Sequence, residues 1–352
     1  MCENYLNRTG RVLLIYTGGT IGMARNPENG ALEPLDFRFL MSSLPEFEQI
    51  STAVDVYQFD KPIDSSDMDH LRWAELIRII STKYSEYDGF VILHGTDTMA
   101  YTASALSFML QNLTKPVILT GSQLPLGQLR TDGKENLITS IELASYTEDG
   151  IHSPIPEVCI YFSGHLLRGN RSTKQNAEMM NAFESFNYPH LCEAGVNITF
   201  AHHHILKPDF SRPLIPHEEM NPNILVFSLF PGIQESMVRH ILDNEKLKGI
   251  VIRSYGSGNA PQQRWVNDLV RQATDRGVVI VNVSQCLAGR VEMNRYGSGL
   301  HLLDSGAISG FDSTIEAATT KLMHLTALFK NTEDVIAHMK RSLAGEISVE
   351  EK

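Results

Sequence analysis

The feature that most constrains this chain is a series of short apolar runs in its first half, each ending in a turn of glycines, hydroxyls and carboxylates. Runs at Val12–Tyr16, Val54–Phe59, Phe90–Leu93, Pro116–Leu119 and Val158–Phe162 read as strands. The continuous ones look like strands of a sheet with helices on both faces. Helices are expected from about Met68 to Tyr84, after the turn His94-Gly95-Thr96-Asp97-Thr98, and from about Asp132 to Tyr146. Asp97 or Thr98 is expected to cap the middle helix through a side-chain oxygen. Strands alternating with helices imply a mostly parallel sheet, whose right-handed crossovers bring the strand ends to one edge. The turns after these strands then face one crevice, where ligands of such sheets bind.

From Tyr188 to about Asn221 the pattern weakens and prolines gather at 189, 208, 213 and 216. A second strand–helix series follows, with strands at Ile224–Leu229, Gly249–Arg253 and Val278–Val283. Its helices are expected near Glu235–Asn244, Gln262–Asp275, Ser313–Leu328 and Thr332–Leu343. The fold class is therefore α/β: a larger N-terminal doubly wound, mostly parallel sheet domain and a smaller C-terminal α/β domain. The expected boundaries are 1–200, a linker over 201–221, and 222–352. A length of 352 residues, 42% hydrophobic and 20% charged, accommodates two such cores.

Several function classes fall away. A net charge of −11 without a long basic cluster disfavours nucleic acid. Cys2, Cys159, Cys192 and Cys286 are scattered without a C-x-x-C pair, so they read as reduced cytosolic thiols, with neither zinc site nor disulfide framework. The start, MCENYLNRTGR, lacks the apolar core of a signal peptide, and no window approaches 18 uninterrupted apolar residues. A soluble, non-exported protein is expected, with no membrane partner. Read as part of a strand, His202-His203-His204 point to alternate faces and do not converge on a metal. The glycine turn Thr17-Gly18-Gly19-Thr20-Ile21-Gly22 fits neither common phosphate-loop pattern. The loop from Arg25 to Leu35 beside it reads as a mobile lid.

The strand-end turns carry threonine hydroxyls, Thr17 and Thr96, with one aspartate, Asp97, and one lysine, Lys174. A threonine alcohol becomes a nucleophile when a neighbouring base takes its proton, and a lysine can be that base. Asp97 holds the lysine or a substrate ammonium, and glycine-turn N–H groups offer an oxyanion hole. The chemistry this suggests is acyl transfer on a small polar substrate.

The blocks Y-T-G-G-T-I-G at 16–22, D-S-S-D-M at 64–68, D-G-F-V-I-L-H-G-T-D-T-M-A-Y-T-A-S-A-L-S-F-M-L at 88–110 and R-G-N-R-S-T-K at 168–174 resemble the bacterial cytoplasmic (type I) L-asparaginases. So do R-S-Y-G-S-G-N-A-P at 253–261 and S-Q-C at 284–286, and the similarity runs from about residue 11 to 345. The resemblance implies hydrolysis of L-asparagine to L-aspartate and ammonia through an acyl-enzyme, without cofactor. It implies Thr17 as nucleophile, with Thr96, Asp97 and Lys174 handling water and protons. Asp64, Ser65, Ser66 and Asp97 would hold the substrate's α-carboxylate and α-ammonium. Asn259 would complete a neighbouring subunit's site in a dimer or dimer of dimers. Thr173, Arg253, Ser284, Gln285 and Cys286 match positions that some relatives use for allosteric L-asparagine. Many relatives carry a tyrosine in the loop after T-G-G-T, where this chain reads Asn29-Gly30-Ala31-Leu32-Glu33. Water, the network of Lys174, Tyr16 or another tyrosine remain as sources of Thr17 activation. Two other readings stay open: a glutaminase-asparaginase or amidotransferase subunit of the same fold, and a non-catalytic amino-acid-binding sensor.

Overall fold

The computed structural model describes residues 10–25, 32–34, 45–148, 150, 152–295 and 297–348. The chain divides into two compact units between Glu218 and Glu219.

In the first unit the main elements are β1 (Arg11–Gly18), β2 (Ala53–Ile63), α1 (His70–Lys83), β3 (Gly89–Leu93), α2 (Met99–Met109), β4 (Val117–Thr120), α3 (Gly133–Ser145) and β5 (Val158–Phe162). Then come β6 (His165–Arg168), β7 (Thr173–Lys174), β8 (Phe183–Glu184), β9 (Cys192–Ala194) and β10 (Ile198–Phe200). Among the described residues, β10-β9-β6-β5-β4-β3-β1-β2 form one sheet, parallel from β2 to β5 and antiparallel beyond. Strands β1, β3, β4 and β5 are buried throughout apart from Arg11, as their unbroken apolar runs require.

The parallel part has the order β2-β1-β3-β4-β5. The chain leaves β1 for one side of the sheet and returns through β3 on the other, so the strand order reverses between β1 and β3. A crevice outside the carboxyl ends of those two strands is the expected ligand position.

The second unit is a four-stranded parallel sheet, β11 (Ile224–Ser228), β12 (Gly249–Ser254), β13 (Val279–Ser284) and β14 (Ile308–Ser309), in that order. Its helices are α4 (Glu235–Leu242), α5 (Arg264–Asp275), α6 (Gly297–Asp304), α7 (Ile315–Leu328) and α8 (Thr332–Met339). Apolar clusters pack on both faces of the sheet.

Some expectations change. Part of the stretch after Tyr188 is ordered, since β9 and β10 extend the large sheet and Ile215–Pro216 pairs with Leu110–Gln111. Strands of two or three residues are too short to show periodicity. His202, His203 and His204 sit in a turn rather than a strand. The strand containing Arg253 runs on to Ser254, and α6 and β14 were not expected. The arms of the expected lid, Met23–Arg25 and Leu32–Pro34, pair as an antiparallel ribbon, while residues 26–31 and Leu35 lie outside the described residues.

Candidate active site

Four strand-end turns meet at the β1/β3 reversal because glycines let their backbones touch. Gly18, at φ +138°, faces Ile63 so closely that a Cβ would stand 2.2 Å from its carbonyl oxygen. Gly19, at φ +90°, would place a Cβ 2.6 Å from the Gly95 backbone. Gly95 in turn faces the Ser65 side chain, and Gly121 the His94 carbonyl. The turns after β1, β2, β3 and β4 are thus pressed into one assembly.

Thr17, near the end of β1, is 1% exposed, and its hydroxyl donates to the Leu93 carbonyl at 2.9 Å. In the turn after β3, Lys174 Nζ donates to Thr96 Oγ1 at 2.8 Å and to Asp97 Oδ1 at 2.7 Å. The lysine side chain is 18% exposed and the aspartate 67%, so the pair lies at the mouth of the crevice. Thr96 Oγ1 also donates to Gln123 Oε1 at 3.4 Å, and Gln123 Nε2 donates to the Met179 carbonyl.

Asp64 and Ser66 are exposed and Ser65 is buried. The Asp64 carboxylate accepts from the Ser66 N–H and hydroxyl, each at 2.9 Å, and these bonds hold its carboxyl below the usual aspartate range. The Ser65 carbonyl accepts from the Thr98 hydroxyl at 2.6 Å. The expected side-chain cap on α2 is therefore absent: Thr98 occupies the cap position, but its hydroxyl ties the β2 and β3 turns together, and Asp97 is engaged by Lys174. The structure brings Thr96, Asp97 and Lys174 into direct contact, with Thr17 one strand over.

Lys174 is placed by a buried anchor. Arg168 Nε donates to Glu157 Oε2 at 2.6 Å and its Nη2 to Oε1 at 3.0 Å, a two-point pair. The same Nη2 reaches the His204 carbonyl, and the Leu206 N–H donates to Glu157. The Ser172 hydroxyl folds back onto the Arg168 carbonyl, and β7 then pairs Lys174 with Phe183.

Tyr16 is fully buried, and burial pushes its phenol up to about 12. Its hydroxyl lies where a Cβ on Gly22 would stand 2.2 Å away. Successive strand residues point to opposite faces, so Tyr16 turns away from the Thr17 hydroxyl and is a poor proton acceptor near neutrality.

Two supporting residues carry no catalytic-looking motif, Gln123 and His94. The turn Thr120-Gly121-Ser122-Gln123 was legible as polar, but the reach of Gln123 to Thr96 was not. Trp73 Nε1 donates to Thr102 Oγ1 at 3.0 Å. That hydroxyl can then donate to His94 Nε2 at 2.9 Å, leaving His94 Nδ1–H for the Gly95 carbonyl at 2.7 Å. The chain of donors requires neutral imidazole. Burial lowers His94 from 6.5 to about 4. With the folded value depressed, the unfolded chain binds more protons between those values, so this stabilisation is complete above pH 6.5 and is lost as pH falls towards 4. The expected loss is roughly 3 kcal/mol. Urea midpoints measured from pH 4 to 7 should fall less steeply on acidification in His94→Gln than in the natural chain; parallel curves would remove His94 as the source.

In the second unit, Arg253 and Ser284 lie near the ends of neighbouring parallel strands, with Ser254 opposite Ser284. Arg253 is half-buried, and its Nε has no hydrogen-bond partner among the described residues. Gln285 Nε2 donates to the Leu229 and Arg253 carbonyls, and the Ser284 hydroxyl to the Gly256 carbonyl. Asn259 closes the turn from Tyr255 through paired backbone bonds, each 2.9 Å. Cys286 is exposed. Thr173 belongs to the first unit, on β7.

A sequence profile described as "Asparaginase, N-terminal" matches residues 11–206, and one described as "Glutaminase/Asparaginase C-terminal domain" matches residues 223–339. The chain is 41% identical over 338 residues to L-asparaginase 1 of Escherichia coli strain K12, covering 96% of this chain and 98% of that protein. It is also 39% identical to a mouse protein named 60 kDa lysophospholipase, covering 90% of this chain and 58% of the longer relative. The crystal structure of L-asparaginase I from Vibrio cholerae O1 superposes with a TM-score of 0.88 at 39% identity, covering 97% of this chain and all of that one. Among the described residues, no helix is long and apolar enough to cross a membrane.

Proposed function

The chain belongs to the asparaginase family, close to the bacterial type I L-asparaginases, and we propose that it hydrolyses L-asparagine to L-aspartate and ammonia through an acyl-enzyme on Thr17. The observation that carries this reading is the contact of Lys174 Nζ with both Thr96 Oγ1 and Asp97 Oδ1, beside a buried threonine hydroxyl at the strand-order reversal.

Thr17 Oγ attacks the side-chain amide carbon, its proton passes through water or the Lys174 network, and ammonia leaves once the amide nitrogen is protonated. Water held by Thr96 then hydrolyses the ester, with Lys174 as proton acceptor. Two features support this division. The Thr17 hydroxyl is tied to a carbonyl, so it attacks only after that bond is exchanged for a proton acceptor. Asp97 Oδ1 lies 2.7 Å from Lys174 Nζ and is largely exposed, so the same carboxylate can also receive a substrate ammonium. Asp64, Ser65 and Ser66 complete the amino-acid end of the site. Asn259 contributes from a neighbouring subunit of a homodimer or homotetramer. A cytoplasmic setting agrees with the free thiols of Cys159, Cys192 and Cys286.

Ammonia release by the purified chain, followed with L-asparagine and with L-glutamine, tests the reaction. Turnover of asparagine is expected. One methylene separates the substrates, a difference worth about 1–3 kcal/mol in a pocket. Equal or faster glutamine turnover would make the protein a glutaminase-asparaginase, and binding without ammonia would make it a sensor.

A second, regulatory site for L-asparagine is favoured by Arg253, whose buried Nε awaits an anion at a strand end shared with Ser284, Gln285 and Cys286. A ligand activates only as far as it binds the active conformation more tightly. Rate against L-asparagine should therefore be sigmoidal, and Arg253→Ala should make it hyperbolic or remove activation. A hyperbolic natural enzyme, together with one asparagine bound per subunit in calorimetry on Thr17→Val, would dismiss the second site.

A further inference from the structure

Away from the threonines, the antiparallel side of the large sheet gathers three metal-ligating side chains. His165 opens β6 and stands directly opposite Glu193 of β9, so both side chains leave the same face of the sheet, with Cβ atoms about 5 Å apart as in such pairs. His190, just before β9, places its ring centroid 4.4 Å from that of His165, tilted by 39°. One ligand atom from each of the three lies within 4.8 Å of the other two.

The hydrogen-bond inventory around them is incomplete in a particular way. His190 Nε2–H donates to Glu184 Oε1 at 2.9 Å, which in the neutral ring leaves the Nδ1 lone pair facing Glu193 Oε1 at 4.0 Å. His165 Nδ1 is buried and has no hydrogen-bond partner among the described residues. A nitrogen of His190 thus faces the Glu193 carboxylate, beside the His165 ring whose Nδ1 has no hydrogen-bond partner among the described residues. A carboxylate behind a histidine is also the arrangement that fixes the tautomer and orients the ring of a ligating histidine.

We propose that His165, His190 and Glu193 bind one divalent transition-metal ion of the zinc class, with Glu184 orienting His190. Two imidazoles and a carboxylate suit zinc and leave a fourth tetrahedral position for water. Tetrahedral coordination brings ligand atoms to about 3.4 Å from one another. The adjustment falls on Glu193, whose side chain is 72% exposed. The ion would also tie the β6–β9 edge to β8, which pairs with the strand carrying Lys174.

The test uses the full-length, tag-free chain stripped with a chelator. Co2+ is titrated by visible absorption and Zn2+ by calorimetry. One ion per chain and a tetrahedral Co2+ spectrum are expected. His165→Ala and His190→Ala should each weaken binding about 100-fold or more, and Glu184→Gln about tenfold. Zinc at about a hundred times its Kd should raise Tm by roughly 5 °C in the natural chain and not in His165→Ala. Glu193→Gln, at an exposed position, covers the case in which a histidine variant misfolds, and should also weaken binding. Absence of binding, unchanged affinity in folded His165→Ala or Glu193→Gln, or loss of binding in a His202→Ala/His203→Ala variant would overturn the proposal.

Discussion

Replacing Thr17 by valine is expected to lower kcat on L-asparagine by on the order of 10³-fold or more while leaving the fold intact, because the oxygen proposed as nucleophile goes and the shape stays. The structural cost is one buried hydrogen bond to the Leu93 carbonyl, about 1 kcal/mol. Thr96→Val and Lys174→Met should fall into the same range, since the lysine is bonded to that threonine. A set that acts as a unit loses nearly everything with its first member, so Thr17→Val/Lys174→Met should be little worse than either single variant. Ammonia assays with circular dichroism as a fold control decide it; full activity in a threonine variant removes that residue from the catalytic set.

A large stability effect is expected at Arg168, about 3–5 kcal/mol for Arg168→Met. Its partner Glu157 would be left charged and about as buried as before, with side chains in the pair only 3% and 2% exposed. In a unit of this size that is a fall of about 10 °C in Tm. Glu157→Gln/Arg168→Met should recover part of it, because the stranded charge is gone while the Leu206 N–H keeps an acceptor. Asparagine turnover should drop as well, since Arg168 fixes the stretch that delivers Lys174. An unfolding free energy from urea titration within about 1 kcal/mol of the natural chain would show that the pair is dispensable.

The apolar runs at Val12, Phe90 and Val158 were readable because a strand covered on both faces must be apolar throughout, and no other short pattern looks the same. Thr17, Thr96 and Asp97 were readable because turns after such strands share one edge. Lys174 was different: seventy-eight residues separate it from Thr96, so the strand-end pattern offered it only as a possible base, and the match of R-G-N-R-S-T-K to relatives tied it to the site. What stayed hidden is what depends on distance through space. Gln123 meets Thr96 across two turns, His94 takes its tautomer from Thr102 and Trp73, and Glu184 stands behind His190 across a loop. Residues 198–200 were hidden for another reason: a three-residue strand has no period to detect.

The first strand of the chain lies inside the large sheet, between β2 and β3. During synthesis it therefore emerges with neither neighbour made, and its run Val-Leu-Leu-Ile-Tyr is among the most buried of the finished protein. Cover on one side must wait for residue 53 and on the other for residue 89. Pairings this distant are slow and leave apolar edges open to other chains while they form. The interval in which the nascent protein is most prone to aggregate, or to need a chaperone, thus runs from the emergence of β1 to that of β3, and conditions that slow translation there should lower soluble yield more than equal delays later.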